Sequence, residues 1–108
     1  MSTSAISLVE QGMRFAQARA GLLAADVANS ATPGFVPRDL TPAIEPGLES
    51  GGLRFAAVTQ ELASGGPAAG LEYAMAATAK NSVTYRALAD QERAMLRELR
   101  TVAEESRR

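Results

Sequence analysis

The stretch Ala24-Ala25-Asp26-Val27-Ala28-Asn29-Ser30-Ala31-Thr32-Pro33-Gly34-Phe35 reads as a helix terminus with a defined exit. Asn29 tolerates a left-handed backbone or bonds back to its own main chain. Thr32 precedes proline and is pushed out of the helical region. Pro33-Gly34 suits the two central positions of a type II turn, proline setting φ and glycine accepting a positive φ. Phe35 then supplies an aromatic anchor beside the helix end. An ordinary helix stop accounts for the Pro-Gly pair and not for the whole string.

Outward from this junction the breakers are unevenly spread. All five prolines (Pro33, Pro37, Pro42, Pro46, Pro67) and seven of the nine glycines fall between residues 33 and 70. This divides the chain into an N-terminal segment (residues 1–31), a broken middle (32–70) and a C-terminal segment (71–108). On the N-terminal side Ile6, Val9, Met13, Ala16, Ala20, Leu23 and Val27 recur at alternating spacings of three and four. That is the seam of a coiled coil, predicting a helix of about 40 Å. Ser7-Leu8-Val9-Glu10 matches a capping box, and Ser4 offers a start one turn earlier. Gly12, Ala16 and Ala20 set small residues four apart, where a neighbouring backbone can come close.

The C-terminal segment repeats the pattern. Thr78, Asn81, Tyr85, Leu88, Glu92, Met95, Leu99 and Val102 alternate in the same way, and no Gly or Pro follows Gly70. The expected fold is all-α: two long helices paired as an antiparallel coiled-coil-like hairpin, joined by a largely irregular Gly/Pro-rich connector. Asn81 reads as a polar seam residue that sets register, and Glu92 as an exposed one. The only apolar patch of the middle, Leu53 to Leu62, is too short for periodicity to decide between helix and strand. The rest of the connector is expected to be mobile.

Composition bounds the chemistry. The 108 residues carry a net charge of -1 and contain no Cys, His or Trp. A thiol nucleophile, a Ser-His-Asp triad, a His/Cys zinc site and a disulfide framework are thereby excluded. Nothing points to a catalytic residue, a cofactor, a resident metal or a small-molecule substrate. Charge balance argues against nucleic acid as a partner. No stretch is long and apolar enough to span a membrane, and no cleavable signal is expected. Of the 50 hydrophobic residues 22 are alanine, leaving a thin core. An isolated monomer is therefore expected to be marginal, with its seams completed by other chains. Arg86, Arg93, Arg100 and Arg107 lie seven apart as a basic stripe, readable as a solvated face or as intersubunit charge matching.

Two motifs carry a resemblance. The junction, continuing to Arg38-Asp39, resembles the A-N-I-A-N-A-x-T-P-G-Y signature that ends the N-terminal helix of the bacterial flagellar axial proteins. The matching residues are Ala25, Val27, Ala28, Asn29, Thr32, Pro33, Gly34, Phe35, Arg38 and Asp39. Leu71-Glu72 with Met75, then Ala79-Lys80-Asn81, Tyr85 and Ala87-Leu88, is similar to the L-E-x-E-M…A-K-N-x-x-x-Y-x-x-L run of basal-body rod proteins, in particular the proximal ones. Asp26, Ser30 and Ala31 depart from the family's usual residues, and Pro37 interrupts the approach to Arg38. The resemblance implies a structural subunit of the flagellar rod, with Lys80 among its assembly residues. It would be exported from the cytoplasm by the flagellar type III apparatus to the periplasmic basal body. Its partners would be other rod subunits, rod-adapter proteins and the membrane ring. The competing reading is a small helical-hairpin adaptor or export-chaperone-like protein that binds partners through its seams.

Overall fold

The computed structural model describes residues 3–46, 53–62 and 66–107. Two helices dominate it: α1, Thr3–Ala28, and α2, Pro67–Glu105. Between them, β1 (Arg38–Pro46) and β2 (Leu53–Glu61) form an antiparallel two-stranded sheet. The helices pack against each other and the hairpin packs on α1. The molecule is elongated, 65 × 28 × 14 Å.

The ends of the helices follow from local chemistry. Helix α1 begins at Thr3, so Ser7–Glu10 lies inside the helix and is not its cap. Gly66 precedes α2 at φ 91° and ψ 171°, a conformation open essentially to glycine alone, and Pro67 stands at the first helical position. This start precedes residue 71 because Pro67 and Gly70, read as breakers, belong to the first turn. At the far end Ser106 N–H and Oγ both donate to the Val102 carbonyl, at 3.0 and 2.7 Å. The α1 exit follows the junction residues: Asn29 Nδ2 donates to Ala25 O at 2.9 Å. Phe35 N–H donates to Thr32 O at 3.2 Å, and Gly34 has φ +77°, as a type II turn requires.

The connector is more ordered than expected. Register runs from Arg38 opposite Glu61 to Pro46 opposite Leu53, so the ambiguous apolar patch is a strand. Pro42 is tolerated because each strand of a two-stranded sheet has a free edge. The expected mobility at residues 47–52 and 63–65 lies outside the described residues.

Among the described residues the core is thin and split. Ile6, Val9 and Met95 form one cluster, flanked by Ala5, Met13, Leu88 and Leu99, and Leu23, Ala74 and Ala77 form the other. Between them buried Gly12 and Ala16 bring the helices together. There Asn81 Nδ2 donates to the Ala16 carbonyl at 2.8 Å, a cross-helix bond tied to one alignment.

The buried face departs from the heptad reading at defined places. Ala20 and Val27 are exposed, while Arg19 is half-buried and Asp26 buried. Beyond Ala16, α1 has two neighbours, and its face turns toward the hairpin root as well as toward α2. On α2, Ala77 is buried in place of Thr78, whose Oγ1 bonds back to Ala74 O. Lys80 is exposed, off the seam, and Glu92 is half-buried where full exposure was expected. Val102 is 56% exposed: α1 begins at Thr3, and α2 runs on past it, with no described residue of α1 opposite.

Gly21 offers a stability test. It lies on an exposed face of α1, and an added Cβ would meet nothing within 4 Å. Gly21→Ala should stabilise by about 0.5–1 kcal/mol and raise the melting temperature by roughly 3–6 °C. Thermal denaturation followed by circular dichroism reads this, and an unchanged or lower midpoint contradicts it.

Candidate assembly junction

Four segments meet at the α1 terminus: the last turns of α1, the Pro33-Gly34 turn, the hairpin root and the start of α2. Two buried carboxylates stand there, Asp26 at 3% exposure and Asp39 at 4%. The chain treats them in opposite ways.

Asp39 is saturated. Arg19 grips it with a two-pronged fork, Nε to Oδ1 at 2.8 Å and Nη2 to Oδ2 at 2.9 Å. Tyr73 Oη donates to Oδ2 at 2.6 Å, and the Leu40 N–H donates to Oδ1 at 2.7 Å. Four donors fill the lone-pair sites of one carboxylate. Three elements are tied together by it: α1 through Arg19, the hairpin through Asp39 and Leu40, and α2 through Tyr73. Burial alone would push the Asp39 carboxyl up, but the bonds from Arg19, Tyr73 and Leu40 outweigh it and hold the group below its usual range. The same contact with Asp39 raises Arg19 and Tyr73, keeping both protonated as donors.

Asp26 is starved. Its Oδ1 accepts the Arg38 N–H at 3.1 Å, which anchors the first residue of β1, while its buried Oδ2 has no hydrogen-bond partner. Burial, with the nearby Asp39 charge, pushes this carboxyl up; the Arg38 N–H and guanidinium offset that only in part.

Of the residues singled out in the sequence, the structure gathers Asn29, Thr32, Pro33, Gly34, Phe35, Arg38 and Asp39 at this junction; Ala28 closes α1, exposed. Thr32, Pro33 and Gly34 are exposed, Phe35 is half-buried, and the Arg38 side chain faces solvent. The seam residues lie along the α1–α2 contact, apart from the exposed positions named above. Tyr85 is half-buried and its hydroxyl accepts a bond from Gln17 Nε2 at 3.3 Å.

Sequence reasoning passed over Arg19, Tyr73 and the burial of Asp26. Arg19 and Asp26 carried a signal: they follow Ala16 and bracket Leu23 at spacings of three and four, on the helical face that holds Ile6 and Val9. Tyr73 carried none. Among the described residues no group of three or more Asp or Glu could hold a metal ion, and no helix is long and apolar enough to cross a membrane. Comparison with protein-family models, with curated proteins and with solved structures returned no match.

Proposed function

We propose that this chain is a structural subunit of the bacterial flagellar basal-body rod, of the proximal kind, assembling through its two helices into the axial shaft. The observation that carries the reading is the junction. The T-P-G-F turn, its exit from α1 and the Arg38-Asp39 pair are the first of the two motifs on which the family resemblance rests. Asp39 of that motif is the centre of a knot that joins α1 through Arg19, the hairpin through Leu40 and α2 through Tyr73. A knot of this kind gives a subunit with a thin core one rigid end against which a neighbour can be set. The small core clusters fit a subunit that gains further burial from its neighbours. On this reading the chain leaves the cytoplasm through the flagellar type III apparatus and stacks in the periplasm with other rod subunits, rod-adapter proteins and the membrane ring.

A deletion strain tests it. Loss of hook and filament with an intact membrane ring is the expected phenotype; normal flagellation overturns the reading. Exposed Met75, Val83 and Leu96 on α2 also suit the rival, a helical-hairpin adaptor that binds partners. Homogeneous dimers of saturable stoichiometry would favour that rival.

A further inference from the structure

Asp26 lies in the wall of an open cavity of about 270 Å³, bounded by the α1 terminus, the Pro33-Gly34 turn and the start of α2. The wall is mainly apolar, with Phe35, Pro33, Pro37 and Pro67 contributing rings. The Asp26 Oδ2 is less than 1 Å² exposed and unpartnered. A buried carboxylate oxygen without a donor costs free energy until a donor reaches it. The surroundings select a donor with a flat or aliphatic body and a cationic end, which describes arginine.

Among the described residues no arginine of the chain fills this role. Arg19 is committed to Asp39, and Arg38 bonds Asp26 through its main chain, with its side chain exposed. Elsewhere the stripe of Arg86, Arg93, Arg100 and Arg107 is exposed throughout. Arg93 pairs with Asp90, whereas the side chains of Arg86, Arg100 and Arg107 make no ion pair among the described residues. Arg100 also has the exposed Leu96 one turn before it on the same face, an apolar companion for the proline and phenylalanine rings.

Distance decides the source. Gly70, at the cavity, and Arg100 stand on one uninterrupted helix, about 45 Å apart at 1.5 Å per residue. Arg100 cannot enter its own cavity, but it can enter another copy's. We propose that the cavity at Asp26 is the receptor for the Arg100 end of α2 from a second copy of this chain, its guanidinium supplying the missing donor to Asp26 Oδ2. The contact joins unlike ends of an elongated molecule. It is therefore heterologous, and it builds open chains, not closed dimers.

The test uses the full chain in solution, by sedimentation at increasing concentration. The wild type should grow past the dimer as concentration rises. Asp26→Asn retains the Oδ1 acceptor for the Arg38 N–H, so it should melt no lower than the wild type yet associate at least about tenfold more weakly. The double variant Arg100→Gln/Arg107→Gln should do the same. A wild type that stays monomeric up to about 1 mM, or stops at a dimer, overturns the proposal. So does undiminished association in either variant. As a second readout, chains carrying Thr32→Cys at the cavity and chains carrying Leu96→Cys should form mixed disulfides when oxidised together. The native chain has no cysteine to compete. The contact rests on geometry and not on the rod reading: self-association through Asp26 in a protein whose deletion leaves flagellation intact would remove the rod and keep the contact.

Discussion

Leu23→Ala is expected to cost about 3 kcal/mol and to lower the melting temperature by more than 10 °C. Leu23 is the largest side chain wholly removed from solvent among the described residues, and its neighbours Ala74 and Ala77 have nothing with which to refill the space. The cost of such a truncation rises with the volume left empty. Two facing helices held apart by other contacts cannot collapse onto an alanine. A small domain has only about 5–15 kcal/mol to lose, and one with this few large apolar residues lies toward the low end. Denaturant titration followed by circular dichroism measures the loss. A cost below 1 kcal/mol would mean that the helices can shift together, and that the small-residue contact at Gly12 and Ala16 is not a fixed spacer.

Arg19→Ala should be nearly as damaging, at about 2–3 kcal/mol, a figure reduced from that of a fully buried pair because the Arg19 side chain is 23% exposed. The loss comes chiefly from stranding Asp39, whose side chain is 6% exposed and would keep only Tyr73 and the Leu40 N–H. The same carboxylate fixes the pH response. Because folding holds Asp39 below its unfolded value of about 3.9, its contribution is complete above that value and is lost as pH falls through the lowered one. Asp26 acts in the opposite sense. Folding raises it, so its charged form costs stability as pH rises through the raised value, and acid relieves that cost. The wild type should therefore lose stability steeply below about pH 4. Asp39→Asn should flatten that acid limb, and Asp26→Asn should remove the small decline above it. Melts between pH 3 and 7 on the three proteins separate the two carboxylates. An unchanged acid limb in Asp39→Asn would show that the Arg19 fork contributes no pH-dependent stability.

Most of the helical frame is legible in the residues because helix pairing is local chemistry repeated. Apolar spacing shows the faces and Thr32-Pro33-Gly34-Phe35 closes the exit from α1, whereas Gly66 and Pro67, read as part of the connector, open α2 four residues before the expected start. The hairpin was not legible, because ten residues from Leu53 to Leu62 carry too few repeats to reveal a period. The candidate site was readable in half. Asp39 and Arg38 stand beside the conspicuous turn, whereas the Arg19 fork and the Tyr73 hydroxyl reach Asp39 across 20 and 34 residues of chain. Their meeting is decided by how α1, the hairpin and α2 are stacked. The departure of the buried face at Ala20 and Val27 has the same origin: periodicity describes a helix with one neighbour, and the second half of α1 has two.

The bottom rung of the hairpin changes what the helices experience as their loop. The Leu62 N–H donates to the Pro37 carbonyl at 3.0 Å, closing the middle of the chain on itself. Without that rung, the chain from Asn29 to Gly66 must be gathered whenever the helices meet. With it, roughly a third of those residues remain to be gathered, which lowers the closure entropy by about 1 kcal/mol if the hairpin forms first. Whatever chain lies beyond the rung then no longer affects the search of α2 for α1. The hairpin can lengthen or shorten without altering how, or how fast, the two helices find each other.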